Sequence, residues 1–134
     1  MKRNDLKNEP KEIENILKLE PFKRYEYFIK KAADFEQLWT IIDQDGNYVI
    51  SGIDEFSLIS FWPAEEFVRL YLEKEWEDCK PIKLTLDDLK GDVFEIINTE
   101  NYLINVFPVN GRSGFVVSLE EFDRDLQEEL DKIE

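Results

Sequence analysis

The sequence predicts an α+β fold, a mostly antiparallel sheet of about five strands packed by helices, and three observations predict it. Apolar residues recur at helical spacing near both ends of the chain, most clearly at Leu119, Phe122, Leu126, Leu130 and Ile133. Between the helical stretches lie short apolar runs rich in β-branched and aromatic residues, and Asp43-Gln44-Asp45-Gly46-Asn47 separates two of them. The predicted order, α-α-β-β-β-α-α-β-β-α, groups strands with strands instead of alternating them with helices.

Taken in order, Pro10 to Leu17 reads as a short helix with Ile13, Ile16 and Leu17 on one face. Pro21 suits the first turn of a second helix, where its missing N–H is no loss. There Phe22, Tyr25, Phe28, Ile29 and Ala32 share an inward stripe, while Lys23, Glu26, Lys30 and Lys31 face water. From Gln37 the period changes, and residues 38–42 and 48–50 read as strands across an Asp-Gly hairpin, with a third strand at 57–62 completing an antiparallel meander.

Pro63 opens the next helix, over residues 63–76, with Glu65 and Glu66 complementing its dipole and Ala64, Phe67, Val68, Tyr71 and Leu72 facing inward. Trp76 and Cys79 fall near its end, and Pro81 forbids its continuation. Thr85 caps a further short helix with Asp87 and Asp88 in its first turn, weakened in the middle by Gly91. Residues 102–107 and 115–118 read as strands across an Asn110-Gly111-Arg112-Ser113-Gly114 turn. Ser118-Leu119-Glu120-Glu121 is a capping box that starts the terminal helix, whose outer face carries Glu120, Asp123, Glu128, Glu129, Asp131 and Glu134.

At 134 residues the chain is expected to fold as one domain over residues 1–134, with 1–9 a loosely ordered extension. Hydrophobic residues at 43% and aromatics at 13% exclude a disordered acidic tail. One cysteine, Cys79, and no histidine remove a disulfide framework, thiolate zinc sites and imidazole chemistry. The N-terminus lacks the apolar run of a signal peptide and no stretch is long enough to span a membrane, so a cytoplasmic protein is expected. Net charge is −14, although the first 31 residues carry nine basic and six acidic side chains. Such a field repels nucleic acid and anionic lipid and steers the chain towards basic partners, besides keeping it soluble.

Residues that carry chemistry are sparse. Asp43, Asp45, Asn47 and Asp54 resemble the alternating oxygen ligands of a calcium-binding EF-hand loop. Tyr48 stands where that loop needs Gly, the closing Glu is replaced or displaced to Glu55, and the flank prefers strand, so a plain Asp-Gly hairpin is the better reading. The carboxylate pairs Glu65–Glu66, Asp87–Asp88 and Glu120–Glu121 each fall at a helix start, where the dipole accounts for them. Ser113 has no histidine to activate it, Cys79 has only Lys80 beside it, and the Asn110–Gly114 turn lacks the lysine of a phosphate-binding loop. The tryptophans read as packing, while Tyr25, Trp39 and Trp62 are the candidates for an aromatic pocket.

The pattern resembles an uncharacterised bacterial family catalogued as domain of unknown function 2750. The likeness runs from about Leu19 onward through Arg24-Tyr25, Tyr27 to Lys31, Ala33-Asp34, Trp39, Asp45-Gly46, Phe61-Trp62-Pro63 with Phe67, Trp76, Phe107-Pro108, Gly114, Val116-Val117, Leu126 and Glu128-Glu129-Leu130. It departs at Ile59-Ser60-Phe61, where the family more often carries a proline. The resemblance implies no activity, and it implies an ordinary hairpin after Trp39.

The resulting expectation is a non-enzymatic acidic interaction module without a cofactor, of the immunity or inhibitor kind, that binds a basic protein through Glu120, Glu128 and Glu129. The alternative is a small-molecule or peptide-binding module with a pocket at Tyr25, Trp39 and Trp62; an enzyme of carboxylates and a divalent metal ranks last.

Overall fold

Two small sheets are joined by main-chain bonds between a pair of tryptophans and by the Thr40 hydroxyl, which donates to the Ser60 carbonyl at 2.7 Å. The computed structural model describes residues 10–75, 78–109 and 112–133, so the expected extension at 1–9 and the readings of Trp76, of Asn110-Gly111 in the predicted turn and of Glu134 lie outside the described residues. Helices α1 (Pro10–Leu17) and α2 (Pro21–Phe35) come first, followed by strands β1 (Gln37–Ile42), β2 (Ile50–Ile53) and β3 (Phe56–Phe61). Helix α3 (Glu65–Glu75) and strand β4 (Lys80–Thr85) precede a bent helical stretch over residues 86–100, and β5 (Leu103–Val106), β6 (Phe115–Val117) and α6 (Leu119–Ile133) complete the chain.

The α+β architecture holds, with six strands in two sheets among the described residues. β1 and β4 form an antiparallel pair from Gln37↔Thr85 to Ile42↔Lys80, while the second sheet runs β2-β3-β5-β6. Within it β3 and β5 are parallel, from Leu58↔Leu103 to Phe61↔Val106, and its other pairings are antiparallel. The expected three-strand meander is therefore corrected: β1 leaves β2 after the Ile42–Tyr48 bridge and pairs with β4 instead. β4 went unpredicted because Pro81 stands in it; β4 bonds to β1 alone in its sheet, so the missing N–H can point away from the ladder. Trp39 and Trp62 each donate a main-chain N–H to the other's carbonyl at 2.9 Å and so join the sheets.

The helices follow local chemistry. Pro21 stands in the first turn of α2, which ends at Glu36 in the left-handed region. α3 begins two residues later than Pro63 suggested, with Glu65 and Glu66 in its first turn. The Thr85 hydroxyl accepts from Asp88 N–H at 3.1 Å and the Asp88 carboxylate accepts from Thr85 N–H at 3.1 Å, a reciprocal cap on α4 (Leu86–Asp88). The helix then widens into a π turn (Leu89–Val93) around Gly91 and resumes as α5 (Phe94–Glu100). Ser118 and Glu121 make the expected capping box on α6.

Phe122 of α6 centres the core, 5.9 Å from Phe28, 5.6 Å from Phe61 and 6.3 Å from Phe94 between ring centroids. On α2 the expected stripe is buried at Tyr25, Phe28, Ile29 and Ala32, but Phe22 is 49% exposed and packs edge-on to Phe115. Arg24, a turn before Phe28, is wholly buried. Among the described residues no helix is long and apolar enough to cross a membrane.

Candidate functional site

Arg24 ties three separate segments of backbone together. Its Nε donates to the Phe107 carbonyl at 3.1 Å, one terminal nitrogen donates to the Leu19 carbonyl, and the other reaches the Ser113 carbonyl at 3.3 Å. Among the described residues no carboxylate pairs with it. Burial pushes its pKa down, and the nearby charge of Arg112 pushes the same way. A guanidinium suits this position because its fixed fork of donors can serve three carbonyls at once.

Phe107 is held from both sides. Its N–H donates to the Phe61 carbonyl at 2.8 Å while its own carbonyl takes the Arg24 bond, and its φ is +60°. A left-handed phenylalanine costs about 1–3 kcal/mol and persists only where its surroundings over-determine it. Its ring is buried, edge-on to Phe67 at 4.9 Å and 6.2 Å from Tyr27. The next carbonyl, that of Pro108, accepts the Trp62 indole N–H at 2.9 Å, and Val109 and Arg112 exchange main-chain bonds of 3.2 and 2.9 Å.

A cleft of about 290 Å³ opens beside this strained corner. α1 supplies Glu14 and Leu17, and Lys18 follows it; α3 supplies Phe67, Leu70 and Tyr71; the stretch after β5 supplies Phe107, Pro108 and Val109, and Arg112 completes the lining. The inward turns of α1 make this possible, since burying Ile16 sets Leu17 and Lys18 at the edge. The floor is apolar, and the charged groups are Glu14, Lys18 and Arg112.

The residues singled out from sequence fall elsewhere. Tyr25 packs against Phe115 and donates its hydroxyl to Asp125 at 2.6 Å; burial first, and that bond second, push its pKa up. Trp62 is wholly buried and packs against Tyr71 at 5.2 Å. The space beside Trp62, bounded by Thr40, Ser60 and Tyr71, is about 10 Å³, room for about one water. Trp39 is half-buried with its indole nitrogen buried and without a hydrogen-bond partner among the described residues. The cleft thus lies elsewhere than Tyr25, Trp39 and Trp62, although Trp62 supports it from behind through Pro108.

On α6, Glu120 and Glu128 are exposed and Glu129 is half-buried, 3.3 Å from Lys132. In the EF-like run the Asp43 carboxylate accepts from Asp45 N–H at 2.9 Å and Asn47 N–H at 3.0 Å, and Gly46 takes φ +85°. β2 then separates Asp54, in its own turn at φ +56°, from Asp43, Asp45 and Asn47, so the four do not share one loop. Among the described residues no group of three or more acidic, cysteine or histidine side chains is placed to hold a metal.

The sequence reading missed Arg24, Lys18, Phe107 and Arg112. A signal existed for the first: Arg24, Phe28 and Ala32 lie four residues apart on one buried stripe, so a charge stood in register with the core.

Fold and cleft together define a mixed-sheet α+β domain with a small apolar recess edged by charge. The family model described as Protein of unknown function (DUF2750) matches residues 25–126, and the chain belongs to that family. The match takes in the cleft walls from α3 and from residues 107–109 and 112, whereas the α1 wall and Arg24 precede it. No curated protein matches the chain.

Proposed function

We propose that this protein is a non-enzymatic binding module of the cytoplasm whose small ligand, or peptide terminus, seats in the cleft between α1, α3 and residues 107–109 and 112. One observation carries the reading: a recess of about 290 Å³ combines an apolar floor with two cationic side chains, Lys18 and Arg112, in a chain of net charge −14. Apolar concavities with a few convergent polar groups are where small ligands bind. The strained Phe107 and the buried Arg24 supply preorganisation, because they fix the wall before any ligand arrives. A fragment screen read by amide chemical shifts tests it. Saturable shifts should cluster at residues 14–18, 67–71 and 107–112; saturable shifts confined to other surfaces would move the site away from the cleft.

A second reading rests on α6, where Glu120, Glu128 and Asp131 are exposed along one helix. In this reading the helix docks a basic protein, in the manner of an immunity or inhibitor protein. Charge reversal at Glu128 and Glu129 should then slow association with that partner and flatten its salt dependence. An unchanged on-rate removes the helix as the contact.

A further inference from the structure

We propose that the cleft selects a small amphiphilic carboxylate, its head between Lys18 and Arg112 and its apolar body on Leu17, Phe67 and Leu70. This rests on the reading of the cleft as the ligand site and adds the chemistry of the ligand.

Three backbone acceptors on the lining are already engaged. The carbonyls of Phe107 and Pro108 accept from Arg24 and the Trp62 indole, and the Val109 carbonyl accepts from the Arg112 N–H. A donor-rich or cationic ligand would meet one carboxylate on the lining, Glu14, and two cations. An anion meets the opposite balance. Arg112 is exposed yet stands close enough to the buried Arg24 for their charges to act on each other, so the turn carries positive potential from two guanidiniums. A carboxylate arriving there gains the planar, two-pronged partner that an arginine offers.

Charge and size narrow the class. With Glu14 opposing Lys18 and Arg112, the lining has one net positive charge, which matches a monoanion better than a dianionic phosphate. The field of a chain at −14 rejects extended polyanions, leaving a small ion that sinks within reach of the two cations. The cleft, at about 290 Å³, is far roomier than the one-water space of about 10 Å³ beside Trp62 and takes a ligand the size of a phenyl ring on a short acid.

The test uses the full chain and a matched set of probes with one apolar body: 4-phenylbutyrate, 4-phenylbutanol, 4-phenylbutylamine and 3-phenylpropyl phosphate, titrated by amide chemical shift. The carboxylate should bind in the cleft about tenfold more tightly than the alcohol or the amine and more tightly than the phosphate. Added salt should weaken the carboxylate and leave the alcohol unchanged. Arg112→Gln, at an exposed position, should bring carboxylate affinity down to that of the alcohol while the unfolding midpoint stays put. Cleft shifts in which the alcohol, amine or phosphate matches the carboxylate overturn the assignment of the ligand and leave the cleft a binding site. Absence of cleft shifts with all four probes overturns both.

Discussion

The Arg24 guanidinium donates to the Phe107 carbonyl at 3.1 Å, joining residues 83 positions apart and fastening α2 to the end of β5. Replacing Arg24 by Met keeps an apolar stem of similar length but leaves the carbonyls of Phe107, Leu19 and Ser113 without their donor. We expect a loss of about 3 kcal/mol or more in urea unfolding. Arg24→Lys, one ammonium facing three carbonyls, should still lose about 2 kcal/mol. A midpoint unchanged in both variants would show that the carbonyls find other partners.

Gly114 packs against the strand it follows in the sheet. A Cβ there would lie 2.1 Å from the Val106 carbonyl oxygen and 2.8 Å from the Asn105 side-chain oxygen, which accepts the Gly114 N–H. Gly114→Ala must part β5 from β6, and a destabilisation of about 3 kcal/mol or a failure to fold is the expected result. Thermal melts against a Gly91→Ala control, where nothing lies within 4 Å of the added carbon, separate the clash from a general glycine effect.

The Tyr25 hydroxyl holds its proton more tightly in the folded chain than the ordinary value of 10.0, by burial and by its bond to Asp125. Stability from this group is full below pH about 10 and is lost as pH rises above it towards the folded pKa. Tyr25→Phe should cost about 1–2 kcal/mol at neutral pH, because Asp125 loses a donor, and should flatten the alkaline decline. An alkaline slope equal in variant and wild type would assign the decline to other tyrosines such as Tyr48, whose pKa is raised by burial and by Asp88 and Asp92.

Ser118→Ala removes the acceptor for Glu121 N–H at the start of α6, and Thr85→Ala removes that for Asp88 N–H. Each should cost about 1 kcal/mol, and the two should add, since the caps share no partner. Urea midpoints of the singles and the double decide it.

Elements written in local chemistry were legible: α1 from its apolar spacing, α6 from its capping box, the turn at Gly46 from its need for positive φ. What the local pattern concealed was partnership. β4 was hidden by Pro81, which only its place beside β1 makes tolerable, and the parallel β3–β5 pairing depends on contacts across the whole middle of the chain. Arg24 was hidden because a charged side chain on a helix normally faces water; here the carbonyls that satisfy it come from Leu19, Phe107 and Ser113. The cleft follows the same logic, since its walls come from three distant segments and no single stretch announces it.

The parallel seam between β3 and β5 also sets a schedule for synthesis. Phe61 leaves the ribosome 45 positions ahead of its strand partner Val106. At roughly 5–20 residues per second, the nascent hairpin of β2 and β3 waits several seconds with one edge bare and Leu58, Ile59 and Phe61 uncovered. A chaperone that shields apolar edges would meet this protein during that interval, and slowing translation between residues 62 and 103 would lengthen the encounter.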